Sequence, residues 1–224
     1  MPNEKMPDWE LVLSSAARLQ DFVPGAVLVG GTASALYAGH RFSRDANHVL
    51  PDLKGRFDDI LADLESVAGW KTARVRRPVL ILGSLDGIET GLRQLIRDIP
   101  LETTNMEIDG MKLAVPTEAE ILRIKGVLIL KRNATRDYLD FAALADHMGK
   151  EKFHAALDRF DELYPQPNGE SALLQLQVQL AEPLPFDLED TQLDEYKNLS
   201  EPWTDWNHVR DICVELALAI FDHL

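Results

Sequence analysis

The reading of the chain turns on Val27-Leu28-Val29-Gly30-Gly31-Thr32-Ala33-Ser34 and, five residues further, His40-Arg41-Phe42-Ser43-Arg44-Asp45-Ala46-Asn47-His48. Ala26–Val29 is a short apolar run that reads as a strand. Gly30-Gly31 reads as a turn, and Thr32–Ala38 as a short alanine-rich helix stopped at Gly39. Paired glycines let the backbone turn sharply and approach a ligand closely. The helix N-terminus behind them offers free amides and partial positive charge, which suit a phosphate. Thr32 adds a hydroxyl donor. The same residues also describe a plain tight turn with Thr32 as the helix cap. Neither G-x-x-x-x-G-K-[ST] nor G-x-G-x-x-G occurs, so the element is not a P-loop or a dinucleotide fingerprint.

Asp45–Leu50 is predicted to be a second strand, on which Asp45 and Asn47 project to one face. Oxygen-bearing side chains so placed suit a hard cation such as Mg²⁺. The second is an amide, so one negative charge of a carboxylate pair is missing. Turn chemistry at the strand entrance is the other account of these two residues. His48 is one residue out of phase and reads as structural or surface.

Upstream, Asp8–Val23 is predicted to be a helix, with Trp9, Val12, Leu13, Ala16, Leu19 and Val23 at helical spacing and Pro24-Gly25 at its end. Downstream, Phe57, Ile60, Leu61, Leu64, Val67 and Ala68 share a helix face, with Gly69 as C-cap. Strands are expected at Trp70–Val75, Val79–Leu82 and Ile88–Leu95, the last entered through an Asp86-Gly87 hairpin. A second hairpin joins Thr103–Ile108 to Met111–Val115 through Asp109-Gly110.

The character then changes. Thr117-Glu118-Ala119-Glu120 is a capping box opening a helix to about Arg132. Thr135 caps a second helix ending at Gly149, and a third covers Glu151–Tyr164, before the loop Pro165-Gln166-Pro167-Asn168-Gly169. Another spans Glu170–Ala181. The last begins near Trp203 and presents Trp206, Val209, Ile212, Leu216 and Ile220. The fold class is therefore α+β: a small mixed sheet with helices over residues 1–115, then an all-helical half over 116–224. On the helices, Lys125 and Arg132 share a face, as do Asp137 and Asp140. Solvated ion pairs are the plain account of these.

The chain has 224 residues, 46% of them hydrophobic, and a net charge of −14. That apolar content is ample for a core, and no run reaches the ~18–20 residues of a membrane span. The N-terminus has no signal-peptide pattern. Cys213 stands alone, which excludes an internal disulfide and a Cys-only zinc site. A soluble, cytoplasmic protein is expected. Residues 1–150 hold 19 basic and 21 acidic side chains, and residues 151–224 hold 4 and 16. Such acidity argues against broad coating of nucleic acid, where affinity rests on Lys/Arg contacts to phosphate. The arginines of the first part, from Arg41 through Arg74, Arg76, Arg77 and Arg93 to Arg136, leave room for a local phosphate or RNA surface. An electrostatically two-faced molecule is expected, its acidic helices solvated or meeting a basic partner.

Taken in order, these elements resemble the AbiEii-type nucleotidyltransferases, the toxin family of type IV toxin–antitoxin systems, within the DNA-polymerase-β-like nucleotidyltransferase superfamily. That family shows a strand, G-G-[ST] opening a helix, H-R-x-S-x-D-x-D, then a helical lysine and a late [RK]-D-x-x-D. This chain reads Gly30-Gly31-Thr32, His40-Arg41-Phe42-Ser43-Arg44-Asp45-Ala46-Asn47, Lys125 and Arg136-Asp137-Tyr138-Leu139-Asp140. The resemblance implies that Gly30, Gly31 and Thr32 hold the triphosphate of an NTP, with Arg41 and Ser43 supporting it. Asp45 and Asn47 would bind Mg²⁺ or Mn²⁺, with Glu89 as third carboxylate and Asp86 behind it. Lys125 would contact phosphate or developing charge, and Asp137 would sit near the site. The implied reaction is in-line attack of an RNA or protein hydroxyl on the α-phosphate, with pyrophosphate leaving. A cognate antitoxin-like protein is the implied partner. Asn47 stands where the family has its second aspartate, which leaves two functions open. One is an active or attenuated nucleotidyltransferase. The other is a catalytically inactive descendant that binds a nucleotide or a partner protein.

Overall fold

The computed structural model describes residues 9–108, 110–167, 169–196 and 198–223. Asp8, Asp109 and Asn168, at the expected start of the first helix and in two expected turns, lie outside the described residues. The chain divides into two compact units, one of Met1–Ala33 with Ser43–Pro116 and one of Ser34–Phe42 with Thr117–Leu224. The excursion over residues 34–42 is the difference from a single cut near residue 115.

The first unit is built on α1 (Trp9–Phe22), β1 (Val27–Val29), the start of α2 (Gly30–Ala38), β2 (Asp45–Leu50), α3 (Leu53–Ser66), β3 (Trp70–Arg76), β4 (Leu80–Leu85), β5 (Ile88–Gln94), β6 (Thr103–Ile108) and β7 (Met111–Pro116). Five strands form one mixed sheet in the order β1-β2-β5-β4-β3. Among the described residues, only the β2·β5 pair of this sheet is parallel. A parallel pair needs a crossover, and the α3–β3–β4 segment supplies it. β6 and β7 form a separate hairpin.

α1 buries Val12, Leu13, Ala16 and Leu19, and α3 buries Leu53, Phe57, Ile60, Leu61 and Leu64, in each case at spacings of three and four. Leu19 and the α3 set join Leu50, Trp70, Ile81, Leu85 and Leu92 in one core. Burying each such side chain stabilises by about 1.5–3 kcal/mol. Alternation along the strands then leaves Asp45, Asn47 and Val49 on the opposite, half-exposed face.

Two local expectations change. No turn separates β1 from α2: the helix starts at Gly30 itself, whose φ of +79° supplies the bend that a side chain would resist. The residue that ends α3 is Val67, in extended conformation, and Gly69 lies in the turn after it. Asp86 and Gly87 both have positive φ, 53° and 83°, as a two-residue hairpin requires.

The second unit holds α4 (Glu118–Arg132), α5 (Thr135–Met148), α6 (Lys150–Leu157), α7 (Phe160–Leu163), α8 (Ala172–Ala181) and α9 (Trp206–His223). Tyr138, Phe141, Phe153 and Phe160 are its largest fully buried side chains. Gly126, inside α4, is explained by closeness: a Cβ there would lie 2.9 Å from Leu176 Cδ2 and 3.1–3.2 Å from the rings of Phe160 and Phe141.

The helix ends differ from the sequence patterns. Thr117 Oγ1 accepts from the Glu120 amide, but the Glu120 carboxylate pairs with Arg123. Thr135 is the first residue of α5 and not its cap. Its amide and hydroxyl both donate to Asp187 Oδ1, at 2.7 and 2.8 Å. The expected Glu151–Tyr164 helix is split into α6 and α7, and Arg159, at φ −105° and ψ 13°, precedes α7. The buried side of α9 is Val209, Cys213, Ala217 and Ile220, with Ile212 and Leu216 only half-buried at its margin.

Candidate functional site

The first set of candidate residues gathers on the half-exposed face of the sheet. Asp45 on β2 is the register partner of Glu89 on β5. Neighbouring strands lie about 5 Å apart, and partners share a face, so the two carboxylates stand side by side. Asn47 is two residues along β2 on the same face, paired with Val29 just before Gly30. The strand order thus brings the glycine hinge, Asp45, Asn47 and Glu89 together.

Asp45 is held firmly. Ser43 Oγ donates to its Oδ1 at 2.8 Å, and Asn47 Nδ2 donates to its Oδ2. Thr32 is 1% exposed, and its hydroxyl donates to the backbone carbonyl of Asp45. The hydroxyls of Thr32 and Ser43, expected on the phosphate side, are therefore committed to positioning Asp45. Asp86, the alternative to Glu89 as third carboxylate, is in an ion pair with Arg18. His48 points into the core, fully buried, with Nδ1 3.1 Å from the Ala46 carbonyl. Burial pushes its imidazole down to about 4, so it is neutral near pH 7 and structural.

Whether a divalent cation fits is decided by the donors. They are two carboxylates and one amide; the described residues hold no group of three or more His, Cys, Asp or Glu placed for a metal. All three side chains offer oxygen, as Mg²⁺ or Mn²⁺ requires. Asn47 currently turns its NH₂ toward Asp45. Rotation of the amide would bring Oδ1 to that side, next to a carboxylate, an arrangement that a cation between them stabilises. The residues fit a hard cation with one charge fewer than a carboxylate triad.

The second set lies in the helical unit. Asp140 is its hub. Arg41 donates through Nε and Nη2 at 2.8 and 2.9 Å, Lys125 Nζ lies 2.6 Å away, and His40 Nε2 2.8 Å. Asp137 takes both donors of Arg132, at 3.1 and 2.9 Å, and lies 3.5 Å from Lys125. The side chains of Arg41, Lys125, Asp137 and Asp140 are 0–3% exposed. Burial alone would raise the Asp140 carboxyl; Arg41 and Lys125 outweigh it and hold Asp140 well below the usual carboxylate range. His40 is lowered chiefly by burial, against the pull of Asp140. The expected solvated helix faces are thus a buried network. Arg41 and Lys125, expected at the phosphates, and Asp137, expected near the site, are sealed within it and tie the His40-Arg41 segment to α4 and α5.

Asp140 was visible as the last letter of the late motif and as sharing a helix face with Asp137, and its role as hub needed the packing of three segments. Asp187 carried no sequence signal.

No protein-family model matches the chain. It is 29% identical over 218 residues to the mycolic acid-containing lipids exporter MmpL11 of Mycolicibacterium smegmatis, covering 96% of this chain and 22% of that protein. It is 38% identical over 129 residues to the heme uptake protein MmpL11 of Mycobacterium tuberculosis, covering 56% and 13%. The chain therefore spans about a fifth or less of the curated relatives it matches. Among the described residues, no helix is long and apolar enough to cross a membrane. Among solved structures, the chain is similar to a "putative nucleotidyltransferase from H. pylori", with TM-score 0.61, 18% identity, and coverage of 98% of this chain and 96% of that one. JHP933 from Helicobacter pylori gives 0.58 at 18% identity, with coverage of 98% and 93%. At such identity the likeness is one of fold: the chain has a nucleotidyltransferase-like α+β fold.

Proposed function

We propose that the chain is a nucleotidyltransferase of the AbiEii kind, moving a nucleoside monophosphate from an NTP to a hydroxyl of an RNA or protein acceptor. The observation that carries this reading is the register pairing of Asp45 with Glu89, with Asn47 on the same face and the Gly30 hinge on the adjoining strand. Asp45, Asn47 and Glu89 would hold Mg²⁺ or Mn²⁺, which supplies charge neutralisation at the α-phosphate. Backbone amides after Gly30 face the phosphates. The acceptor oxygen forms a bond to the α-phosphorus, and the bond to the β-phosphate oxygen breaks. Pyrophosphate leaves with that electron pair, and the acceptor proton passes to Glu89, the exposed carboxylate of the set. Ser43 and Thr32 are positioning residues acting through Asp45. Arg41, Lys125 and Asp137 maintain the helical unit. An antitoxin-like protein is the partner that belongs with this reading.

One observation favours a second reading, a catalytically inactive nucleotide- or partner-binding descendant. Asn47 replaces a carboxylate and donates a hydrogen bond to Asp45, which stabilises Asp45 without a cation. Incubation with each α-labelled NTP, Mg²⁺ or Mn²⁺, and cellular RNA or protein separates the two. The enzyme reading expects label transfer that is lost in Asp45→Ala and raised in Asn47→Asp. NTP binding without transfer, in the wild type and in Asn47→Asp alike, would establish the inactive descendant.

A further inference from the structure

Asn133 ends α4 in the left-handed conformation, at φ 47°, and its backbone and side chain are both engaged. Its amide donates to the Ile129 carbonyl. Its own carbonyl accepts from the Phe186 amide at 3.0 Å, and its Nδ2 donates to the Leu184 carbonyl at 2.7 Å. Its Oδ1 accepts from the Tyr138 hydroxyl at 2.6 Å and from Gln179 Nε2 at 2.8 Å. Asp187, the next residue after Phe186, accepts from the Thr135 amide and hydroxyl. Residues 183–187 are thereby pinned to the ends of α4, α5 and α8. Burial alternates along them: Pro183 and Pro185 are buried, while Leu184 and Phe186 are 64% and 73% exposed. Alternate side chains of an extended segment lie on one side of it, about 7 Å apart. Single exposed apolar residues are ordinary. This pair is different, because a built scaffold holds two large apolar side chains out into water next to each other.

We propose that Leu184 and Phe186 are the anchors of a docking surface for a partner protein, which lays a basic amphipathic helix across them. The proposal concerns the helical unit alone and stands whether or not the first unit transfers nucleotides. The backbone speaks against a partner strand. Pro183 and Pro185 have no N–H, the Phe186 N–H is given to Asn133, and the Leu184 and Pro185 carbonyls accept from Asn133 and from the Leu188 amide. The segment offers no ladder, so a strand laid on it would bury its own unpaired groups. A helix satisfies its own backbone and needs only side-chain contact. Charge sets the rest of the partner's chemistry. Residues 160–196 hold nine carboxylates and no lysine or arginine. Glu182, Glu189 and Asp190, which flank the anchors, are all exposed. Lys131 and Arg136, exposed near Asn133 in the chain, lower this excess without removing it, and Arg132 is held by Asp137. A second copy would bring the same carboxylates face to face, whereas lysines and arginines beside the apolar stripe of a partner helix meet them with opposite charge. The anchors are already ordered, so docking does not have to fix them.

The test pans a phage-displayed library of random linear peptides against the immobilised full chain. Synthetic copies of the selected peptides are then measured against the chain by fluorescence anisotropy. They are expected to carry net positive charge, to place apolar residues three and four apart, and to gain helical circular dichroism on binding. Leu184→Ser/Phe186→Ser, with the far-ultraviolet spectrum of the wild type, should weaken them about 30-fold or more, as the loss of a central anchor does. Ile96→Ser, at an 87% exposed residue of the first unit, should leave their affinity unchanged. Affinity should fall as NaCl is raised from about 50 to 300 mM, and Glu182→Gln/Glu189→Gln/Asp190→Asn should remove most of that salt dependence. The proposal is overturned by a library that yields no binder, by selected peptides that are neutral, acidic or bound without helix, or by an affinity that the double serine variant leaves unchanged. Salt dependence that survives in the charge variant overturns the basic partner. Sedimentation in which the wild type self-associates and the double serine variant does not would assign the anchors to a second copy, and overturn the proposal as well.

Discussion

Asp140→Asn is the most exacting test of the helical unit. The substitution keeps the shape of the side chain and removes its charge. Four donor atoms converge on that carboxylate: Arg41 Nε and Nη2, Lys125 Nζ and His40 Nε2, all within 2.9 Å. An amide accepts through one oxygen only and presents its own NH₂ toward cations. Arg41 and Lys125, whose side chains are 2% and 3% exposed, would both lose that carboxylate, and Lys125 would keep Asp137 at 3.5 Å. Removing one partner of a buried ion pair costs about 3–5 kcal/mol, mostly the penalty of the charge left behind. For a chain of this size, each kcal/mol moves the melting temperature by about 2–4 °C, so a fall of roughly 6–20 °C is expected. Urea denaturation would be followed by the fluorescence of Trp203 and Trp206, in the same unit, in a Trp9→Phe/Trp70→Phe background. The triple change Asp140→Leu/Arg41→Met/Lys125→Met should recover much of the loss, since apolar replacement of a whole buried network is often neutral. A loss below about 1 kcal/mol for Asp140→Asn, the value of a solvated pair, would refute the burial argument.

Three further outcomes are expected. His48 is held down to about 4 against 6.5 unfolded; its contribution is complete above pH 6.5 and lost as pH falls toward 4, up to about 3 kcal/mol. Asp140, with its folded value depressed, gives up its share only below pH ~4, so His48→Gln should flatten the stability profile between pH 6.5 and 4, read by urea midpoints at each pH. Cys213 is fully buried, and burial pushes its thiol up to about 12; it should ignore a chromogenic thiol reagent in buffer and react at once in denaturant, and prompt native reaction would contradict the placement of α9. Gly83→Ala would set a Cβ 2.6 Å from the Lys71 carbonyl oxygen, and calorimetry should show a loss of about 1–3 kcal/mol from the forced shift of β3.

The strand–glycine–helix element, the Asp86-Gly87 hairpin and the change to helices at Thr117 were legible because each depends on a few neighbouring residues. Alternation placed Asp45 and Asn47 together for the same reason, since residues two apart on a strand share a face whatever surrounds them. The caps were less legible. The acceptor at the start of α5 comes from Asp187, which is 52 residues away, and no local pattern encodes it. The inward side of α9 was misjudged because its apolar residues surround more than one face, and packing selected Cys213 and Ala217 over Ile212 and Leu216.

The sequence alone therefore determined the order of elements, the uneven charge and the pairing of Asp45 with Asn47. Only the tertiary structure decided that Glu89 is Asp45's neighbour, because strand pairing is a contact between segments 44 residues apart. It also decided that Arg41, Lys125 and Asp137 serve a buried network. The identity of a charged residue states what it can bind. Burial and the charges packed around it decide whether water, a ligand or another side chain is what it meets.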